Sequence, residues 1–214
     1  MTIRSTGGRI AAYVWLVFAG LNILDLVFGI TGDATYSLTA FTIGVLLLLG
    51  CGIAYTVGLR PALLGDDEAV TVRNPLREAR APWPAVREIV GTNAVTVRFD
   101  GPDGREVVTR AWVLQTSPRA QAKAEARARK DAASRVPGAA LKGRTPAAYA
   151  AQQLNEIRER QRAKTRSGAP DRAAEAKAEE AAATGTVRWS VPALASLLVP
   201  VVALVVLLVV GAVT

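Results

Sequence analysis

Chemistry in this chain is confined to a few positions. Asp25, three residues after Asn22, interrupts an otherwise uncharged apolar run. An ionisable group in such a run can serve a helix–helix contact, reach interfacial water at the end of the run, bond Asn22 along the same helix face, or carry protons. Proton transport usually draws on polar groups from facing helices, and the other apolar runs offer only Ser, Thr and Tyr. There is no His and a single Cys, Cys51. That removes an intrachain disulfide, a Cys/His zinc or iron–sulfur site, and catalysis by an imidazole base. No phosphate-binding loop, dinucleotide fingerprint or metal-ligand spacing is present. The sequence therefore nominates no catalytic, cofactor-binding or metal-binding residue, and the expected activity is non-enzymatic.

The elements that carry Asp25 are long and apolar. They run over residues 10–30, 38–59 and 191–213. Each is long enough to cross a hydrocarbon core of about 30 Å. Ala40 and Gly44 in the second run, with Gly50 and Gly52, allow close helix approach. Asn22, Asp25, Ala40 and Gly44 are thus the candidate intramembrane contacts. Pro200 predicts a kink in the third run. The first run follows basic residues but no clear small-residue cleavage site, so it is read as a retained helix.

Charge predicts sidedness. Arg4 and Arg9 precede the first run, the turn at 31–36 has no Lys or Arg, and Arg60 opens a strongly basic region. By the positive-inside rule the N-terminus and residues 60–190 are cytoplasmic and the C-terminus lies outside a bacterial inner membrane. The organisation is then a cytoplasmic N-terminus (1–9), a transmembrane hairpin (10–59), a β-domain (60–118), a basic Ala-rich helical linker (119–190) and a C-terminal transmembrane helix (191–214).

Within 60–118, apolar and polar residues alternate over 69–73, 95–99 and 106–112. Such alternation predicts strands with one buried and one wet face. Asp100-Gly101-Pro102-Asp103-Gly104 predicts a hairpin between two of them. Pairs of strands at this spacing suggest a small antiparallel sheet, sandwich or open barrel. Trp83 and Trp112 are expected in its core or at its end.

Beyond Ser117-Pro118 the texture changes to Ala, Arg, Lys and Glu. Helices are predicted over 119–135, from Thr145-Pro146 to about 166, and over 171–183. Ala147, Ala150, Leu154 and Ile157 share one face of the second. None of the three has enough large apolar residues to pack a core by itself. The net charge of +8 comes from residues 119–135 (+4) and 142–166 (+5), less 1 from 171–188. Tethered to the membrane at both ends, they could lie on an anionic leaflet. The candidate lipid-surface contacts are Arg119, Lys123, Arg127, Lys130, Arg158, Arg162, Lys164, Arg166, Arg188 and Trp189, with Trp189 as an interface anchor. Basic residues without interleaved aromatics are weak evidence for nucleic acid.

Several of these residues also carry a likeness. Arg60-Pro61 after the helical hairpin, Arg73-Asn74-Pro75-Leu76-Arg77, Pro82-Trp83 followed by Val86, and the strand ending Arg110-Ala111-Trp112 resemble the membrane-anchored bacterial PH-domain proteins of actinobacteria. The likeness covers roughly residues 10–135. It implies a seven-strand, half-open PH-like barrel closed by a C-terminal helix, for which 119–135 is the candidate. It implies no activity, and Gly65-Asp66-Asp67-Glu68 is acidic where a headgroup-binding loop would be basic. The expected fold is therefore membrane α + β: three transmembrane helices, a PH-like β-domain and a basic linker. The expected role is a scaffold or accessory subunit binding another membrane protein or complex. The alternative is a membrane organiser that binds anionic phospholipid through its basic helices.

Overall fold

The computed structural model describes residues 1–32, 36–115, 145–161 and 184–213, together with Ala126. These fall into a helical unit (Ser5–Pro61, Trp189–Thr214) and a sheet unit (Met1–Arg4, Ala62–Arg188).

The helical unit begins with α1 (Thr6–Phe28), capped by Ser5, whose hydroxyl accepts from Gly8 N at 3.2 Å. It ends at Gly29, which takes the left-handed conformation with φ 63° and donates its N–H to the Asp25 carbonyl. The second helix, α2 (Leu38–Ile53), is capped by Ser37 and runs on into a wider turn over Ala54–Leu59. There the Arg60 N–H reaches back five residues to the Tyr55 carbonyl. Among the labelled elements α4 (Val191–Val213) is the last in the chain, with Pro200 inside it. Helix α2 packs on α1 and also on α4. Two of its glycines make this possible. A Cβ at Gly50 would overlap the Trp15 ring, and one at Gly52 would overlap the Ser196 carbonyl oxygen. The helices Thr6–Phe28, Leu38–Leu59 and Val191–Val213 are each long and apolar enough to cross a membrane, with mean hydropathies of 2.0, 2.1 and 3.1.

In the sheet unit, β1 (Thr2–Arg4), β2 (Ala62–Gly65), β3 (Ala69–Arg73), β4 (Arg77–Pro82) and β8 (Thr186–Trp189) make one sheet in that order. Strands β5 (Val86–Gly91), β6 (Val95–Asp100) and β7 (Glu106–Arg110) make the other. A single turn at Trp83–Ala85 carries the chain from one sheet to the next. The predicted hairpin is present: Gly101 donates to the Arg105 carbonyl at 2.9 Å, and Gly104 takes φ 66°.

The registers β1–β2, β2–β3, β3–β4, β5–β6 and β6–β7 are antiparallel. They pair large with small residues on the inner face, Val70 with Ala81 and Val72 with Ala79. Leu63, Trp83, Val86, Val95, Val97 and Phe99 complete the buried layer between the sheets. The structure differs from the sequence expectation in the helix that packs here. Helix α3 (Pro146–Gln161) buries Ala147, Ala150, Ala151 and Leu154 in the same core, despite its shortage of large apolar residues. Small side chains suffice because the helix comes very close to the sheets. A Cβ at Gly91 would overlap the Ala147 carbonyl, and one at Gly65 would sit 2.7 Å from Leu154 Cδ2. The segment 119–135, expected to close the barrel, lies outside the described residues except for Ala126.

Candidate functional site

The four intramembrane candidates sit in two places. Asp25 is half-buried near the end of α1, where its carboxylate accepts from Thr31 N at 2.8 Å and from Thr31 Oγ1 at 2.9 Å. These bonds fold the chain after Gly29 back onto the last turn of the helix. Asn22 does not join them: its amide donates to the Phe18 carbonyl at 2.8 Å, one turn earlier. Each of the two polar side chains thus bonds within its own helix or to the turn that closes it. Ala40 and Gly44 lie on α2, facing α1. With Leu26, Val27, Tyr36 and Phe41 they line an almost wholly apolar groove of about 230 Å³. A Cβ at Gly44 would sit 3.3 Å from Leu26 Cδ2.

Of the basic candidates, Arg119, Lys123, Arg127, Lys130, Arg162, Lys164 and Arg166 lie outside the described residues. Arg158 is on α3, where its guanidinium donates to the Val86 and Arg87 carbonyls. Asn155, one turn earlier, donates to the Ile89 carbonyl. Together they cover backbone carbonyls along β5, beside the register shift between Val86 and Glu88. Arg188 and Trp189 are exposed on β8, immediately before α4.

The sheet unit holds a junction that the alternation of residues alone did not reveal. Asn74, in the turn between β3 and β4, donates through Nδ2 to the Arg110 carbonyl and accepts at Oδ1 from Trp112 N, both at 2.9 Å. Its carboxamide thus copies one rung of strand pairing and joins the first sheet to the end of β7. The Asx-turn habit of Asn-Pro was the available signal, but it points to a local partner and not to one 36 residues away. Trp83 is buried, with its indole N–H on the Asp66 carbonyl at 2.9 Å. Trp112 is nearly half exposed.

The charged groups of the sheet surface are matched: Arg73 with Glu78, Arg80 with Glu68, Arg87 with Asp100, and Arg98 with both Glu88 and, at 3.8 Å, Glu106. All keep substantial solvent contact, so each adds little to stability. The Asp100 carboxylate, by hydrogen bonding and by its charge, raises the Arg87 guanidinium above its ordinary value. A polar cleft of about 420 Å³ opens between β2 and the end of α3, lined in part by Asp66, Asp67, Arg160 and Gln161. Gln161 closes on Asp67 there at 3.1 Å. Among the described residues no group of carboxylate or thiol side chains is placed to hold a metal ion.

No curated protein and no solved structure matches the chain. The two antiparallel sheets with a helix packed on them are consistent with a PH-like fold, and residues 60–131 match the family model of the bacterial PH domain.

Proposed function

We propose that this chain is a non-enzymatic scaffold or accessory subunit of a bacterial cell membrane. Its apolar helices make the intramembrane contact, and its PH-like unit presents a surface to another membrane protein or complex. The observation that carries this reading is how the sheet unit is tied to the apolar hairpin. Strand β1, before α1, pairs with β2, after α2, from Thr2 with Leu64 to Arg4 with Ala62. The hairpin therefore leaves and re-enters one sheet at neighbouring strands, so two chain connections join the β-domain to the apolar helices. The same pairing supports placing the N-terminus and the sheet unit on one side, as two crossings demand. The positive-inside rule makes that side cytoplasmic and leaves the C-terminus outside.

The test is purification of the tagged full-length protein from its native membrane in mild detergent, with identification of what accompanies it. The expected result is another membrane protein in fixed stoichiometry. Recovery of this chain alone, as monomer or homo-oligomer, would overturn the accessory-subunit reading. It would favour the alternative, binding of anionic phospholipid through the basic residues of 119–166.

A further inference from the structure

Strand β7 is the outer strand of the second sheet, and among the described residues no strand pairs with its free side. The other border of that sheet is treated differently, since Asn155 and Arg158 of α3 occupy carbonyls of β5. The direction of each β7 peptide follows from the ladder. Ala111 N bonds Val95 O and Gly101 N bonds Arg105 O, so the odd-numbered residues of this strand face β6. Glu106, Val108 and Arg110 therefore turn their backbone groups outward. The Asn74 carboxamide, bonded to Arg110 O and Trp112 N, ends that free edge at one side.

The side chains of this edge are self-complementary. Glu106, Val108 and Arg110 all project on the exposed face, and Val108 is 57% exposed. Glu106 and Arg110 stand symmetrically about Val108, and Glu106, which reaches Arg98 of its own β6 only at 3.8 Å, keeps a part-exposed carboxylate to share with a second cation. An antiparallel copy centred on Val108 would set each Glu106 opposite an Arg110 and the two Val108 side chains against one another.

We propose that the β7 edge is a homotypic interface at which two copies of this chain join their second sheets into one continuous antiparallel sheet. Val108 exchanges both backbone hydrogen bonds with its counterpart, and the Arg110 N–H donates to the Glu106 carbonyl of the other copy. Asn74 ends the pairing: its carboxamide already holds Arg110 O, so the Glu106 N–H of the other copy makes no ladder bond there, and a strand displaced further toward Trp112 would meet the carboxamide. The interface is isologous, so it closes on a pair and does not propagate. Opposite charges across an antiparallel pair favour this register, and like charges directly opposite disfavour it.

The test uses the full-length protein, labelled with donor or acceptor at the C-terminus, in phosphatidylethanolamine–phosphatidylglycerol vesicles at low protein density. Wild-type copies are expected to show energy transfer. Glu106→Arg places Arg opposite Arg, and Arg110→Glu places Glu opposite Glu. Each variant by itself is expected to weaken self-association about tenfold. Mixed together, the two variants regain complementary pairs at both positions, and transfer is expected to return toward the wild-type level. No transfer between wild-type copies, single variants that associate as well as wild type, or a mixture that stays at the single-variant level would each overturn the proposal. The mixing arm separates a loss of charge matching from a loss of folding, and from association driven by the apolar helices.

Discussion

Asn74 bonds Trp112 across 38 residues of sequence: its Oδ1 takes the Trp112 N–H at 2.9 Å while its Nδ2 holds the Arg110 carbonyl. One carboxamide therefore satisfies two backbone groups where β7 runs out of strand partners. Neighbouring Asn74 backbone closes the β3–β4 turn on Arg77 O at 2.8 Å. A single residue thereby connects a local turn to the closure between the two sheets.

Asn74→Ala is expected to lose both bonds and cost about 1–3 kcal/mol, since two backbone groups are left to find new partners. Asn74→Asp keeps the acceptor for Trp112 N but not the donor for Arg110 O, and is expected to fall between Ala and wild type. Thermal unfolding followed by Trp fluorescence in detergent measures the order. Equal stability of all three proteins would show that the clamp contributes nothing.

Helix α3 depends on Leu154, which is fully buried against Gly65 and close to Trp83 in the common core. Leu154→Ala is expected to destabilise the sheet unit by about 2–5 kcal/mol, the range for a buried leucine. Tyr149→Ala, on the same helix but half exposed, is expected to change stability by about 0.5 kcal/mol or less. Protease resistance of residues 145–161 reads the difference directly.

Asp25 and Thr31 act as one unit at the end of α1. Asp25→Ala is expected to cost about 1–2 kcal/mol and Thr31→Val about half of that. Their double variant should cost no more than Asp25→Ala, the mark of a shared interaction. Should Asp25 instead serve a partner's helix, Asp25→Ala would abolish co-purification while Thr31→Val left it intact.

Sidedness can be read with cysteines introduced into a Cys51→Ala background. Gly32→Cys lies in the exposed turn after α1, and Asp103→Cys lies at the exposed tip of the β6–β7 hairpin. An impermeant maleimide is expected to label the first in intact cells and the second only after the membrane is opened. Labelling of Asp103→Cys in intact cells would reverse the proposed orientation.

The three apolar helices were legible from residue type alone. Length and hydropathy are local properties, and an apolar run of some twenty residues with at most one charge has few other uses. The strands at 69–73, 95–100 and 106–110 were legible for the same reason, because period-two alternation is written in the strand itself. The remaining strands carried no such mark. Thr2–Arg4 is too short to show a period, and Arg77–Pro82 reads as charged surface although Ala79 and Ala81 are buried.

What only the tertiary structure decided are the relations between segments distant in sequence. That Thr2–Arg4 pairs with Ala62–Leu64, that Asn74 reaches Trp112, and that the Ala-rich helix α3 lies in the core are all long-range outcomes. Alanine does not announce burial, because its small area brings little hydrophobic gain in isolation. It becomes a core residue when glycines such as Gly65 and Gly91 let the helix approach the sheet closely. Asp25 shows the same division. Its sequence marks an uncommon charge in an apolar run, and only the folded turn reveals that Thr31 is the group that holds it.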